Sequence, residues 1–347
     1  MLDSLDIVAI GGGTGLSTLL RGLKTFVGHE GPWSIDRLAA IVTVTDEGGS
    51  SGVMRREFGI LPPGDIRNCI VALAEEEDLL SKLFNYRFGE DSALKGHSLG
   101  NLLLKAMTDI TGSFEDAVLA ASEVLNIRGA IYPSTLQDVR LRATLEDGTE
   151  LVGEVAISVS YLGEKVEAQR RQSRIRHLAI DPADAAPVHD GLDAIAGADL
   201  ILIGPGSLYT SVLPNLVIRP LADALKAARG LRVYVCNVMT QPGETDGYTA
   251  EDHLRAILEH AGPVVDTMII NGRRPNESIL AAYAREEQFP VEFDVEAIRA
   301  LGVTPFFGDI IAEGNYVRHD SRALADTILR LYDRHGRSLA RVRRSET

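Results

Sequence analysis

The chain has 347 residues, of which 45% are hydrophobic, and it carries a formal net charge of −14 with a pI near 5.1. This length and apolar content suffice for a large core, either as two domains or as one large α/β domain with an insertion. The negative charge argues against general binding to nucleic acid or to an anionic membrane. No apolar stretch approaches the roughly 18 residues of a membrane helix and no leader pattern is present, so we expect neither a membrane span nor secretion. Two cysteines, Cys69 and Cys236, lie in apolar runs and are typical of buried thiols, which favours a cytoplasmic protein.

The first predicted strand, 7–10, leads into a loop with four glycines in five positions and then into a helix predicted over 16–25. The loop residues are Gly11, Gly12, Gly13, Thr14 and Gly15. Glycines let a backbone come close to a ligand, and free N–H groups at a helix N-terminus favour an anion, usually phosphate. We therefore predict a phosphorylated ligand here, with a ligand-free tight turn as the alternative. The sixth position is Leu16 and no acidic residue follows at the dinucleotide spacing, so NAD is not favoured.

The second predicted strand, 39–44, ends in another polar glycine loop. That loop contains Asp46, Gly48, Gly49, Ser50 and Ser51. Because ligands of open α/β sheets collect at the carboxyl ends of strands, we expect it beside the first loop. Asp46 would then face the phosphates, as a ligand for a hard cation or as a ribose acceptor. The alternative is that Asp46 caps the short segment that contains Ser50 and Ser51.

Two further helix entries carry polar side chains. Asp65 is predicted as the N-cap of a helix that continues to about residue 77, with Arg67 and Asn68 in its first turn. Cationic and amide groups are unusual at that position, since the first turn prefers acids, and this indicates a ligand. A helix over 98–111 is entered through His97, with Asn101 one turn in.

The hydrophobic period changes to two between residues 135 and 160. Strands 139–145 and 151–159, joined by a turn at Asp147 and Gly148, predict a β-hairpin within an insertion of about 135–180. The basic residues Arg170, Arg171, Arg174 and Arg176 follow it. They are interpreted as a charged hairpin edge, with a polyanionic partner as the alternative.

The strand and glycine-loop pattern then resumes. Strand 198–203 leads into a loop with Gly204, Gly206 and Ser207, and strand 231–237 into a loop with Thr240. Further strands are predicted at 267–270 and 309–312, before a terminal helix of about fifteen residues. A disordered basic tail is predicted over 336–347. The fold predicted from this order is α/β: a three-layer, Rossmann-like, doubly wound and mainly parallel sheet with a small β-hairpin insertion.

Six blocks of this sequence together resemble a known family. They are AIGGGTG at 9–15, TDEGGSSG at 45–52, PPGDIRNC at 62–69, HSLGNLL at 97–103, GPGSLYTS at 204–211 and NVMTQPGET at 237–245. In this order they resemble the gluconeogenesis factor family, YvcK-type, of the CofD-like superfamily, over about residues 5–335. The resemblance implies a single CofD-like domain over 1–335 in a cytoplasmic bacterial protein needed for cell shape and wall synthesis during gluconeogenic growth. It also implies binding of a nucleotide-sugar of the UDP-N-acetylglucosamine kind.

The resemblance extends to two further positions, Tyr283 and Arg318, which match the sugar-nucleotide site. Tyr283 could stack on uracil and Arg318 could clamp a diphosphate; a helix-face tyrosine and a strand arginine are the alternatives. The family loop usually carries two adjacent aspartates, whereas Glu47 follows Asp46 here. The acceptor loops of the related phospholactate transferases are absent, so we predict a regulator without catalytic residues.

For the regulator we expect no required cofactor, Mg²⁺ entering only with the nucleotide, a homodimer, and a regulatory protein of wall synthesis as partner. The alternative is a Mg-dependent CofD-like phosphotransferase that uses a nucleotide-activated donor, with Asp46 as metal ligand.

Overall fold

A computed structural model describes residues 4–75, 79–158, 173–312 and 316–336. Its main sheet has seven strands in the order β10-β9-β8-β7-β1-β2-β3, and all neighbours are parallel. The strands are β1 Leu5–Gly11, β2 Ile35–Val42, β3 Ala130–Pro133, β7 Leu200–Ile203, β8 Leu231–Val235, β9 Thr267–Asn271 and β10 Thr304–Gly308. The central strand β7 is apolar and buried along its whole length, as expected when both faces of a parallel sheet are covered. The predicted α/β fold class is confirmed.

The strand order reverses between β1 and β7. From β1 the chain crosses to β2 in one direction, and from β7 it proceeds to β8, β9 and β10 in the other. Right-handed crossovers in opposite directions place their helices on opposite faces of the sheet. The loops after β1 and β7 lie side by side at this switch point, which is where open α/β sheets form their ligand crevice.

The helices cover the sheet in two layers. They are α1 Gly13–Leu23, α2 Gly49–Phe58, α3 Gly64–Leu73, α4 Leu79–Asn85, α5 Leu99–Thr111, α6 Phe114–Val124, α7 Glu154–Ile157, α8 His189–Gly197, α9 Leu213–Leu216, α10 Arg219–Ala227, α11 Ala250–Ala261, α12 Glu277–Arg285, α13 Val295–Ala300 and α14 Ser321–Leu331. Helix α1 packs against α3 and against α14, which returns from β10 to the same face. Gly22 permits this contact, because a Cβ there would overlap the carbonyl of Ser321. No helix in the described ranges is long and apolar enough to cross a bilayer.

The insertion contains a second, antiparallel sheet of order β5-β4-β6, with β4 Arg140–Leu145, β5 Glu150–Val152 and β6 Ile175–Asp181. The predicted Asp147–Gly148 turn joins β4 to β5, and Gly148 has φ +86°. The second hairpin strand is shorter than predicted: Gly153, at φ +93°, ends it and α7 follows. Arg170, Arg171 and the predicted tail from residue 337 onward lie outside the described residues.

Three other boundary predictions were wrong. Asp65 is not the N-cap of α3; the helix begins at Gly64 and is preceded by Pro63, so Asp65 lies inside the first turn. The last strand is β10 at Thr304–Gly308 rather than 309–312. Helix α1 begins three residues before the predicted start, because Gly13 and Thr14 already join the helix.

Candidate functional site

The first glycine loop is shaped by contacts that exclude side chains. Gly13 has φ +63°, a conformation that glycine adopts at low cost. A Cβ on Gly12 would lie 2.5 Å from Oδ2 of Asp65 and 2.6 Å from Cγ2 of Thr43, and a Cβ on Gly15 would overlap the carbonyl of Pro205. The loops after β1 and β7 are therefore packed backbone against backbone at the switch point.

The second glycine loop is held by side chains from the β8 side. Asn237 bonds Gly206 twice: its Nδ2 donates to the Gly206 carbonyl at 2.8 Å, and its Oδ1 accepts from the Gly206 N–H at 3.3 Å. Buried Glu244 accepts hydrogen bonds from the hydroxyls of Ser207 and Thr210 and from the backbone N–H of Tyr209. Burial raises the pKa of Glu244, while these donors oppose that rise. The loop is thus fixed before any ligand binds.

Both loops open into one cavity of about 230 Å³. Its lining joins Thr14, Gly15 and Thr18 to Pro205, Gly206 and Ser207, then to Asn237, Val238, Met239 and Gln241, and finally to Val317, Arg318 and His319. Of the residues that the structure describes around this cavity, Arg318 alone carries a full positive charge. Hydroxyls, backbone groups and one guanidinium form a lining that suits a phosphorylated or sugar-bearing ligand.

The other side of the crevice is acidic. Burial first and the charge of Asp46 second raise the pKa of the half-buried Asp65 to about 7, and the backbone N–H of Gly13 opposes this rise. Glu154 enters from the insertion, and burial, followed by the charge of Asp46, raises its pKa to about 7. Asp46 also accepts a hydrogen bond from the Gly48 N–H at 2.9 Å. These carboxylates repel one another, and the charge of Arg67 offsets part of that repulsion at Asp65.

A polar network surrounds Ser50 at the start of α2, in the loop after β2. Ser50 accepts hydrogen bonds from the Ser98 N–H at 3.3 Å and from Nδ2 of Asn101 at 3.1 Å, and its Oγ lies 3.5 Å from Nδ1 of His97. Arg67 donates to Asn101 at 3.0 Å and to Asn68 at 2.7 Å. Four predicted site residues are thereby linked to Ser50.

Arg67 itself is buried, and burial lowers its pKa to about 10. Its Nε has no hydrogen-bond partner among the described residues. Ser51 lies in the first turn of α2. A Cβ on Gly64 would contact the Ser51 hydroxyl and would lie 2.6 Å from Oδ2 of Asp46. Gly49, at φ +45°, completes this turn.

Tyr283 and Thr240 are placed differently from the other predicted residues. The Tyr283 hydroxyl accepts from the Val317 N–H at 3.1 Å, and its ring packs on a small cluster of Val238, Met239 and Ile311. Tyr283 therefore supports the segment that carries Arg318 instead of lining the cavity. Thr240 is buried, and its Oγ1 accepts from the Phe289 N–H at 3.0 Å.

Two acidic residues of the crevice, Glu154 and Glu244, were not predicted. Glu154 follows the hairpin and Glu244 lies in a loop after β8, so each reaches the crevice only through the tertiary fold. The one available signal was the position of Glu244 in a polar loop at a strand end. Within the described ranges, no three His, Cys, Asp or Glu side chains are arranged to hold a metal ion.

Comparison with known proteins agrees with this architecture. The family model described as 2-phospho-L-lactate transferase CofD matches residues 7–311. A gluconeogenesis factor of Halalkalibacterium halodurans is 46% identical over 328 residues, covering 93% of this chain and 95% of that protein. The gluconeogenesis factor of Bacillus subtilis is 44% identical over 327 residues, covering 94% and 97%.

A solved structure has a similar fold. The crystal structure of a UPF0052 family protein from Bacillus halodurans is 45% identical, with a TM-score of 0.86, and the match covers 94% of this chain and 99% of that one. Identity of this level over nearly the whole length of both chains shows common family membership. The chain belongs to the gluconeogenesis factor family, within the CofD-like proteins.

Proposed function

We propose that this protein is a cytoplasmic regulator that binds a nucleotide-sugar of the UDP-N-acetylglucosamine kind and adjusts cell shape and wall synthesis to gluconeogenic growth. The observation that carries the proposal is the cavity between the glycine loops after β1 and β7, with Arg318 in its lining. A diphosphate placed there would meet backbone donors at the α1 N-terminus on one side and a guanidinium on the other. The hydroxyls of Thr14, Thr18 and Ser207 suit sugar or ribose oxygens.

The acidic side of the crevice supports Mg²⁺ entering with the nucleotide. Asp46 and Asp65 would repel a diphosphate, whereas a hard divalent cation prefers carboxylate and phosphate oxygens together. Burial and then the charge of Asp46 raise the pKa values of Asp65 and Glu154, and a bound cation would offset the effect of that charge. Asp46 and Asp65 are the residues that would hold the ion. When bound, it would neutralise phosphate charge.

The same acidic side favours a second candidate, a Mg-dependent phosphotransferase of the CofD kind. In that case Asp46 would hold the metal and the glycine loops would hold a nucleotide leaving group. The regulator is preferred because the acceptor loops of the transferases are absent from the sequence. A homodimer and a wall-synthesis protein partner belong to the same proposal.

Ligand-dependent thermal stability tests the proposal. UDP-N-acetylglucosamine at about 100 times its dissociation constant should stabilise the fold by roughly 2.7 kcal/mol, and GDP and NAD at the same concentration should stabilise it less. The measurement is run with and without Mg²⁺. Equal shifts for the three compounds, or no shift for the UDP-sugar, would reject this ligand class.

A further inference from the structure

A second cavity, of about 380 Å³, lies at the amino-terminal ends of the strands, whereas the glycine loops follow their carboxyl ends. It opens where β1, β2 and β3 begin, and α8 forms one of its walls. Its partly exposed apolar surface comes from Val27, from Ala130 on β3 and from Ala194 on α8, with the buried side chains of Leu38 and Ala39 beneath. Two residues separate Val8 from Gly11, and six separate Ala39 from Asp46, so the two sites lie towards opposite ends of the same strands.

The rim of this cavity is negatively charged. Four carboxylates line it, those of Asp6, Asp36, Asp190 and Asp193, against one guanidinium, that of Arg37. Asp6 and Arg37 form an ion pair with each other. Within the described ranges, the carboxylates of Asp36, Asp190 and Asp193 form no ion pair with an arginine or lysine. Oδ2 of Asp193 lies 3.2 Å from Nδ1 of His189.

This excess of negative charge contributes to the raised pKa values of two side chains at the rim. The pKa of Arg37 is raised, chiefly by its hydrogen bond and charge interaction with Asp6 and further by Asp36. The pKa of Tyr132 is raised by partial burial and by Asp190. The Tyr132 hydroxyl at the wall adds a polar group that can accept a hydrogen bond.

We propose that this cavity binds a small organic cation, an ammonium group on an apolar or aromatic body. The body would cover the apolar surface of Val27, Ala130 and Ala194, and the ammonium would face Asp190 and Asp193. The volume lies within the range of about 300–1,000 Å³ that is typical of small-molecule pockets. A phosphorylated ligand is repelled by the same carboxylates, so the cavity does not duplicate the nucleotide site. This inference does not depend on the proposed function.

Three indoles that differ in charge test the proposal on the full chain: tryptamine, neutral tryptophol and anionic indole-3-propionate. Binding is measured by calorimetry at low ionic strength and again at about 0.5 M salt, where exposed charges are screened. Tryptamine should bind most tightly and indole-3-propionate most weakly. The tryptamine affinity should fall as salt rises, while that of tryptophol should change little.

Variants locate the site. Asp190→Asn with Asp193→Asn should weaken tryptamine binding by about three- to tenfold, since exposed charge pairs contribute modestly. Ala194→Phe, which fills the cavity, should weaken tryptamine and tryptophol alike. Asp184→Asn, at an exposed aspartate outside the cavity, is the charge-matched control and should bind normally.

Several outcomes would overturn the inference: equal affinity for tryptamine and tryptophol, unchanged binding in the double variant, or normal binding in a folded Ala194→Phe protein. A blocked Trp-Lys dipeptide that binds more tightly than tryptamine would instead assign the cavity to a side chain of a partner protein. Because the UDP-sugar is absent from these measurements, their failure leaves the nucleotide-site experiment unaffected.

Discussion

The backbone N–H of Gly13 faces the carboxylate of Asp65 and opposes the rise of its pKa. This N–H belongs to the first turn of α1, where the sequence predicts a phosphate contact. A protein carboxylate therefore already occupies one anion-binding donor of the loop. A phosphate that accepts a hydrogen bond from this N–H must displace Asp65, bind while Asp65 is protonated, or be bridged to Asp65 by a cation.

Asp65 predicts a pH dependence of stability. Its pKa in the folded protein, about 7, is raised above the ordinary value of 3.8, so its contribution is fully present below about pH 4 and is lost as pH rises through 7. Asp65→Asn keeps an acceptor for Gly13 but cannot ionise. At pH 8 the variant should be more stable than the parent by roughly 1–4 kcal/mol, and the difference should shrink towards pH 4. Denaturant unfolding across this range measures it, and a constant difference would contradict the assignment.

Gly13→Val tests whether the first glycine loop binds ligand. A branched residue at φ +63° costs about 1–3 kcal/mol and places a side chain where the backbone must approach phosphate. Gly28→Val is the matched control, because Gly28 has φ +65° and open space around it. Both variants should lose similar stability, but UDP-sugar binding should fail only in Gly13→Val. Normal binding in a folded Gly13→Val protein would make the loop a turn without a ligand.

Arg318→Ala and Tyr283→Ala test the regulator. Loss of a charge-assisted hydrogen bond should weaken UDP-sugar binding by about ten- to a hundredfold in Arg318→Ala. Tyr283→Ala should weaken binding less, because its hydroxyl acts through the Val317 N–H. Both variants should also lose growth on gluconeogenic carbon. Arg299→Ala, an exposed arginine on α13, is the control. Calorimetry measures the affinities, and normal binding in Arg318→Ala would exclude the proposed clamp.

Asp46→Asn separates the regulator from the transferase. The amide oxygen can still accept from the Gly48 N–H, so the loop should keep its shape while the carboxylate charge is removed. A transferase would lose turnover and keep much of its ground-state affinity, whereas a regulator has no turnover to lose. We expect no product from a UDP-sugar or from phosphoenolpyruvate with Mg²⁺. Turnover that Asp46→Asn abolishes would establish the enzyme instead.

His260 predicts a weakening of the insertion sheet in acid. Its Nε2 accepts from the Leu178 N–H of β6 at 2.8 Å, while its Nδ1 lies 2.6 Å from the Ala256 carbonyl. Burial lowers the pKa of His260, so the neutral form stabilises the fold and this contribution is lost as pH falls below about 6.5. Protonation of Nε2 would place its N–H against the Leu178 N–H, so the hydrogen bond between them would be lost.

Hydrogen exchange at the Leu178 amide, corrected for intrinsic exchange, should show protection falling between pH 6.5 and 4.5. His260→Gln should remove most of this pH dependence, whereas His189→Gln, at an exposed histidine, should leave it unchanged. Constant protection in the parent protein would refute the prediction.

The sequence by itself determined the glycine loops, the strand ends that carry them and the family. These features depend on local pattern: apolar runs followed by glycines predict buried strands and tight turns wherever they occur. The short strand β3 and the true end of β5 were missed because a few residues give no clear period. The last strand was predicted too far along the sequence because an apolar run at 309–312 follows β10.

Only the tertiary structure decided how the site is charged. Glu154 and Glu244 reach the crevice from chain segments more than 100 and about 200 residues away from the first loop, and Arg67 uses its donors on Asn68 and Asn101. The cavity at the amino-terminal edge is formed by β1, β2, β3 and α8, which are distant in sequence. Burial and charge–charge distances set the pKa values of Asp65 and Glu154, and neither quantity is encoded by sequence spacing.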